Sequence, residues 1–443
     1  MSVATSTPPL APRSGASPAR RHAAGAFGWS DAVFLAVVIL FASDAFAFLG
    51  TNSAVWLLCY AYMLLRLVTS LSQIAHALER NWPFLVYPAL TLASALWSDV
   101  PVETLRFSLQ LSMTVLIAVF LGSRFSARQI FRAFFAVTMF AMVVSILNVT
   151  GAIAPAYDGR GLFQGIFLSK NALGHRSVLF VLTCVFGIAI LPGLTLQRRL
   201  AYVAGLIVAV VILGLSGSAT GVLFSGAAGL FAVLLWLIIG WRGAWAFLAA
   251  LMAGSLGLFV IASLFAELDP VSAVLGLVGR DPTLTGRTIL WDFGWQHYLD
   301  RPWAGYGASG FWKNPDFASQ IIALRQRYGD GVSGFHNLIV ELLIMLGPVG
   351  VLAHFAMTAV ALYRTLWHAR HRHDPYAAWG FVIVIAIFGM SLLGPQYYQG
   401  HSIVIMLVVM LGTAFSLPRD AAQRTGNAAR RARLTEPDFK VRT

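Results

Sequence analysis

The sequence predicts an all-α polytopic membrane protein with about twelve transmembrane helices and one large outer (periplasmic) loop. Three observations carry that prediction. Of the 443 residues, 58% are hydrophobic and only 11% charged, with a mean hydropathy of +0.74, too apolar for a chain whose whole surface faces water. Apolar runs able to cross about 30 Å of hydrocarbon as helices recur along the chain. Lys and Arg collect in alternate connections, as they do when a chain is threaded back and forth through a bilayer.

In chain order the spans are expected at 30–49, 53–72, 83–97, 105–122, 130–148, 177–194, 200–216, 219–240, 244–266, 336–363, 376–394 and 401–417. They form one transmembrane domain over 29–418. Residues 1–28 are rich in Pro, Ser, Ala and Arg and show no cleavage pattern behind a short apolar core, so they read as a disordered basic tail rather than a signal peptide. With that tail on the cytoplasmic side, Arg80, Arg124, Arg128, Arg132, Arg198, Arg199, Arg242, Arg364, Arg370, Arg372 and the basic tail 419–443 all fall inside. The net charge of +13 is then a topology signal and calls for no nucleic-acid partner. Cys59 and Cys184 each lie inside an apolar run, at neither metal-ligand nor disulfide-framework spacing. His368, His371 and His373 read as part of a basic solvated turn rather than a metal site. The sequence calls for no metal and no cofactor.

This orientation leaves two substantial outer loops, 149–176 and 267–335, and long ordered loops usually carry function. Within the second, Ile289, Leu290, Phe293, Trp295 and Tyr298 recur at roughly helical spacing beside Asp292, Gln296 and Asp300, which predicts an amphipathic helix at the interface. Thr285 or Thr288 is suited to cap its start, and Pro302 and Gly305 to stop it. The outer loops and span ends carry Arg106, Arg160, Lys170, Arg176, Arg280, Arg287, Arg301, Lys313, Arg325 and Arg327 against the positive-inside bias. Two explanations compete for this set: long loops escape the bias, or some of these groups bind an anion such as a lipid diphosphate.

Arg287 stands out because Thr285-Gly286-Arg287-Thr288 places a guanidinium beside the first amides of the predicted helix, where anions are attracted. His336 stands where the long loop enters the next span, followed by Asn337 and Glu341. A histidine there can take a proton from a hydroxyl nucleophile, and capping or core burial is the competing account. Asn337 and Glu341, at i and i+4, share a helix face; the spacing of His336 and Glu341 is poor for a direct contact. Residues 158–176 mix glycines, aromatics and the cations Arg160, Lys170 and Arg176, a composition open to a phosphate or sugar site, with lipid anchoring preferred for Phe163 and Phe167. Gly305–Trp312 lacks the lysine and following helix of a phosphate loop and reads as a tight aromatic-lined loop.

Four stretches together resemble a known family. GRDPTLTGRTILW at 279–291, RPWAGYGASGFW at 301–312 and His336-Asn337 followed by Gly347-Pro348-Val349-Gly350 are similar to the shared C-terminal region of O-antigen ligases and Wzy-type polysaccharide polymerases. SALWSDVP at 94–101 and GIFLSKNALG at 165–174 resemble the exopolysaccharide polymerase members. The resemblance spans roughly residues 90 to 350.

It implies a metal-independent, inverting glycosyl transfer on the outer face of the bacterial inner membrane, from a polyprenyl-diphosphate-linked oligosaccharide to a sugar hydroxyl. The family's loop histidine corresponds to His336 and its diphosphate-holding loop arginine to Arg287. A further arginine common among ligases is replaced here by Ala219 in Leu215–Thr220, so Arg160, Lys170 or Arg176 is expected to substitute. Membrane lipid surrounds the chain, and a chain-length regulator and a flippase are partners by family analogy alone. A polymerase is the first expectation and a ligase acting on lipid A core the second. A transporter or flippase would instead need working charges near the bilayer midplane, for which Asp44, Arg66 and Glu341 are the candidates. A non-catalytic scaffold would tolerate loss of both Arg287 and His336.

Overall fold

The computed structural model describes residues 28–46, 48, 50, 52–159, 161–216, 287–328, 334–392 and 397–416. Its helices are α1 (Trp29–Ala42), α2 (Asn52–Thr69), α3 (Leu71–Arg80), α4 (Pro83–Ala93), α5 (Pro101–Arg124), α6 (Ala127–Leu147), α7 (Lys170–Ala189), α8 (Leu196–Ser216), α9 (Arg287–Asp300), α10 (Ala318–Tyr328), α11 (Leu338–Arg372), α12 (Pro375–Ser391) and α13 (Ile403–Ala414). Among the described residues, α2, α5, α6, α7, α8 and α11 are long and apolar enough to cross a membrane, and α1, α4, α12 and α13 are shorter apolar helices. Each of these meets one expected span. The spans expected at 219–240 and 244–266, the tails and Arg160 lie outside the described residues.

The starts of these helices are chemically marked. Pro occupies the first turn of α4, α5 and α12, where its missing N–H costs nothing. Ser126 and Gln129 form a capping box on α6. Ser169 caps α7 by accepting from the Ala172 N–H, and Asn337 caps α11 by accepting from the Ile339 and Val340 N–H groups.

The main core gathers α4, α5, α11, α12 and α13 with parts of α1, α2, α6 and α7. Close helix approach uses small residues, since neither lipid nor water drives apolar helices together inside a bilayer. A Cβ on Gly122 of α5 would meet Met410 O of α13 at 2.5 Å, and one on Gly187 of α7 would meet the Tyr202 ring of α8 at 2.5 Å. Buried charge is paired: Asp31 accepts from Arg66 and Arg124, both at 3.0 Å, and from the Tyr62 hydroxyl at 2.7 Å. Of the charges a transporter would need, Arg66 is thus bound to Asp31, and Asp44 to Arg176 at 2.9 Å.

The connection between α12 and α13 departs from a short outer turn. Tyr398 O accepts from the Tyr87 hydroxyl at 3.0 Å, Tyr397 O lies 3.1 Å from His354 Nε2, and the His401 N–H donates to Thr114 Oγ1 at 2.9 Å. Thr114 is about midway along α5, roughly 20 Å from its first residue at 1.5 Å per residue. The connector therefore lies deep among the helices. Irregular backbone at such depth must have its polar groups met by protein or line a cavity, and here side chains of α4, α5 and α11 meet them.

Candidate functional site

The site grows from a break in α11. Gly347 adopts φ +64°, ψ −164°, and Pro348 follows it. Proline has no N–H to give the carbonyl four residues back, so Ile344 O is released from the helix ladder. That oxygen accepts from the Tyr306 N–H at 2.8 Å, and the neighbouring Met345 O accepts from the Gly307 N–H at 3.0 Å. The approach is too close for side chains: a Cβ on Gly305 would stand 2.5 Å from Ile344 O, and one on Gly347 2.3 Å from Trp303 O. Gly305 and Gly307 also hold φ of +63° and +86°, which glycine alone adopts without strain.

The other side of the 301–314 loop rests on the segment before α5. Trp97 Nε1 donates to Ala304 O at 2.9 Å, and the Ala308 N–H donates to Ser94 Oγ at 3.0 Å. Arg301 and Asn314 both donate to Asp99, at 3.0 and 3.1 Å, and the Arg301 guanidinium lies 4.7 Å from the centre of the Tyr306 ring. Above this loop α9 buries Leu290 against a cluster of Tyr306, Phe311, Phe335 and Ile344, flanked by Trp291, Phe293, Trp312 and Val340. Gly294 permits that approach, since a Cβ there would meet Phe335 and Val340 at 2.9 Å. The expected helix is therefore present, but its apolar residues are not confined to one face: Leu290 turns into protein while Ile289, Trp295 and Leu299 are left exposed. Thr288 lies within it rather than before it.

His336 follows Phe335 in this setting. It holds a left-handed backbone, φ +53°, a conformation that costs free energy for a residue with a Cβ and persists where surroundings enforce it. The enforcing contacts are specific. Trp291 Nε1 donates to Phe335 O at 2.8 Å, and the Phe335 N–H donates to Glu341 Oε1. Glu341, 1% exposed, also accepts from Trp312 Nε1 at 3.4 Å. Its carboxylate thus fixes the backbone of the turn that presents His336, which the poor i to i+5 spacing already disfavoured as a direct partner. Asn337 is committed to capping α11. Arg287 is the first residue of α9.

The fold thus brings His336, Asn337, Glu341 and the start of α9 into one assembly with Trp97, Asp99, Trp291 and Trp312, residues of the family-like stretches to which no individual role could be read from sequence. Lys170 and Arg176 belong elsewhere. Lys170 opens α7, and Arg176, 1% exposed, pairs with Asp44 beyond the end of α1. The GIFLSKNALG stretch docks there too, through the Phe46 N–H on Ile166 O at 2.8 Å. Among the described residues no group of three or more His, Cys, Asp or Glu side chains is placed to hold a metal ion.

Two comparisons relate the chain to known proteins. Residues 204–355 match the O-antigen ligase family model. The chain is also similar to the exopolysaccharide production protein ExoQ of Rhizobium meliloti (strain 1021), 28% identical over 293 residues. That match spans 64% of this chain and 64% of the relative, less than two thirds of the relative's length. The region matched by the family model holds α9, the 301–314 loop, His336 and the Gly347-Pro348 break, so the chain is similar to O-antigen ligase and Wzy-type proteins over the segment that carries the site.

Proposed function

We propose that the chain is a glycosyltransferase that polymerises polyprenyl-diphosphate-linked glycan units on the outer face of the bacterial cytoplasmic membrane. The observation that carries this reading is that the 301–314 loop, held by 94–101 on one side and by 344–348 on the other, supplies Trp312 to Glu341, whose carboxylate fixes the turn before His336. That turn stands beside the helix begun by Arg287. A histidine at φ +53°, next to a residue clamped at both its N–H and its carbonyl, is a costly arrangement without a chemical use. In the proposed topology both tails are cytoplasmic, twelve spans cross the membrane, and α9, α10 and the 301–337 segment lie outside.

In the reaction, a sugar hydroxyl of the acceptor attacks the anomeric carbon of the donor. The bond from that carbon to the diphosphate oxygen breaks with inversion, the diphosphate leaves with the electron pair, and the hydroxyl proton passes to the His336 imidazole. Arg287 neutralises charge on the departing diphosphate through paired N–H donors. The leaving group is already good, so positioning and charge compensation suffice and no metal is required. Glu341 and Asn337 act through position, by fixing the turn and starting α11. The name of the relative, an exopolysaccharide production protein, favours polymerisation over ligation to lipid A core.

The test is polymer production in a deletion strain complemented with His336→Ala or Arg287→Ala, each verified in the membrane fraction. Loss of polymer with accumulation of single lipid-linked repeat units is expected. Accumulation of full-length unattached polymer would mean a ligase instead. Normal polymer from both variants would remove the pair and with it this reading.

A further inference from the structure

A polar cavity of about 440 Å³ lies away from the His336 assembly, lined by residues of α2, α5, the α1–α2 connection and the deep α12–α13 connector. Its lining includes Asn52, Trp56, Arg106, Gln110, His401 and Ser402, and no residue of 287–341. Beside it an apolar groove of about 580 Å³ runs along α5 past Leu105, Leu109 and Met113, with Leu64 of α2 opposite. The two spaces share Tyr60, Arg106 and Gln110, so a polar chamber passes into an apolar furrow at a guanidinium.

The groups at the junction are arranged for an anion with a single apolar tail. Arg106 is exposed, and no carboxylate among the described residues pairs with it. Asp44, the one acidic residue of the cavity lining, is occupied by Arg176 at 2.9 Å. Ser402 is 4% exposed, yet its Oγ has no hydrogen-bond partner among the described residues, and Asn52 Oδ1 is buried in the same condition. Two unmet polar atoms in a lined cavity ask for a ligand with hydroxyl or oxyanion groups. Leu105, Leu109 and Met113, spaced i, i+4, i+8, give one apolar stripe roughly 12 Å long, room for one hydrocarbon chain rather than the two of a phospholipid.

We propose that this junction is a second lipid-substrate site, which holds a polyprenyl-diphosphate-linked glycan with its diphosphate on Arg106, its first isoprenes in the α5 groove and its proximal sugar in the Asn52–Ser402 cavity. The assignment rests on the reading that the chain joins two lipid-linked glycans: one is held at Arg287 and His336, and the other needs a separate place. Trp56, 3% exposed and stacked on the His401 ring at 4.2 Å, stiffens the cavity wall.

Native mass spectrometry of the full-length protein, released from nanodiscs containing undecaprenyl diphosphate, counts the bound lipids. Two are expected on the wild type and one on Arg106→Ala, with affinity at the lost site reduced about ten- to a hundredfold, as for a charge-assisted phosphate contact. Leu109→Trp, which fills the groove and leaves the cation in place, should weaken the same site. One lipid on both the wild type and Arg106→Ala overturns the proposal. So does equal occupation of the Arg106-dependent site by phosphatidylglycerol, which would make it a general anionic-lipid site. If Arg106→Ala removes one lipid while Arg287→Ala removes none, this site stands and the Arg287 assignment falls.

Discussion

Replacing Gly305 by alanine tests whether the Gly347-Pro348 break is the socket of the candidate site. Two costs add. A residue with a Cβ at φ +63° loses about 1–2 kcal/mol relative to glycine. The new methyl would also stand 2.5 Å from Ile344 O and 2.6 Å from Met345 C, so the loop must lift and the Tyr306 and Gly307 N–H bonds to α11 break. At about 1 kcal/mol for each bond, the sum is about 3–4 kcal/mol. Gly193 supplies the control, since its φ is +64° with nothing within 4 Å of a Cβ, so Gly193→Ala carries the first cost alone. Hydrogen exchange on the purified protein reads both. Protection of the Tyr306 and Gly307 amides should fall several hundredfold in Gly305→Ala, at about 1.4 kcal/mol per tenfold, and polymer production should fail with it. In Gly193→Ala the loss near residue 193 should stay near tenfold and polymer should persist. Equal losses in the two variants would refute the socket and leave only a backbone preference.

Glu341→Ala strips the Phe335 N–H and Trp312 Nε1 of their acceptor; a destabilisation of about 1–3 kcal/mol is expected, with loss of polymer beyond the loss of folded protein. Polymer in proportion to folded protein would mean that the carboxylate only supports the fold. Asp44→Asn leaves the buried Arg176 uncompensated and should cost about 3–5 kcal/mol, whereas Asp44→Asn with Arg176→Met should recover much of that. Additive losses in that double variant would show that the pair is not coupled.

Much of the fold was legible in sequence because hydrocarbon imposes a simple rule on a spanning segment, namely enough apolar residues and no unmet backbone. That rule located ten spans that coincide with helices and gave the prediction of α9 from spacing alone. It was less informative where the backbone leaves the helix inside the bundle. The depth of the α12–α13 connector has no signature in sequence, which shows where a helix breaks and not how deep the break lies; side chains of Tyr87, Thr114 and His354 set that depth. Lys170 and Arg176 looked like companions of His336 because both stand near outer loops. The partner of Arg176 is Asp44, 132 residues away, a pairing no local pattern contains.

The sequence by itself determined that the chain is built of membrane-spanning helices, which family it resembles, and that His336 and Arg287 are the residues to test. Apolar length, charge asymmetry and motif spacing are one-dimensional properties, and these conclusions need nothing more. Only the tertiary structure decided what the other motif residues do. Ser94, Trp97 and Asp99 meet the 301–314 loop through side-chain hydrogen bonds, Gly305, Gly307 and Gly347 allow approaches too close for a Cβ, and a carbonyl freed by proline finds its new donor 38 residues back along the chain. Such complementarity is a property of surfaces in space. The cavity at Arg106 is of the same kind, since two connections and two helices distant in sequence enclose it and a single exposed arginine on α5 gives no sign of it beforehand.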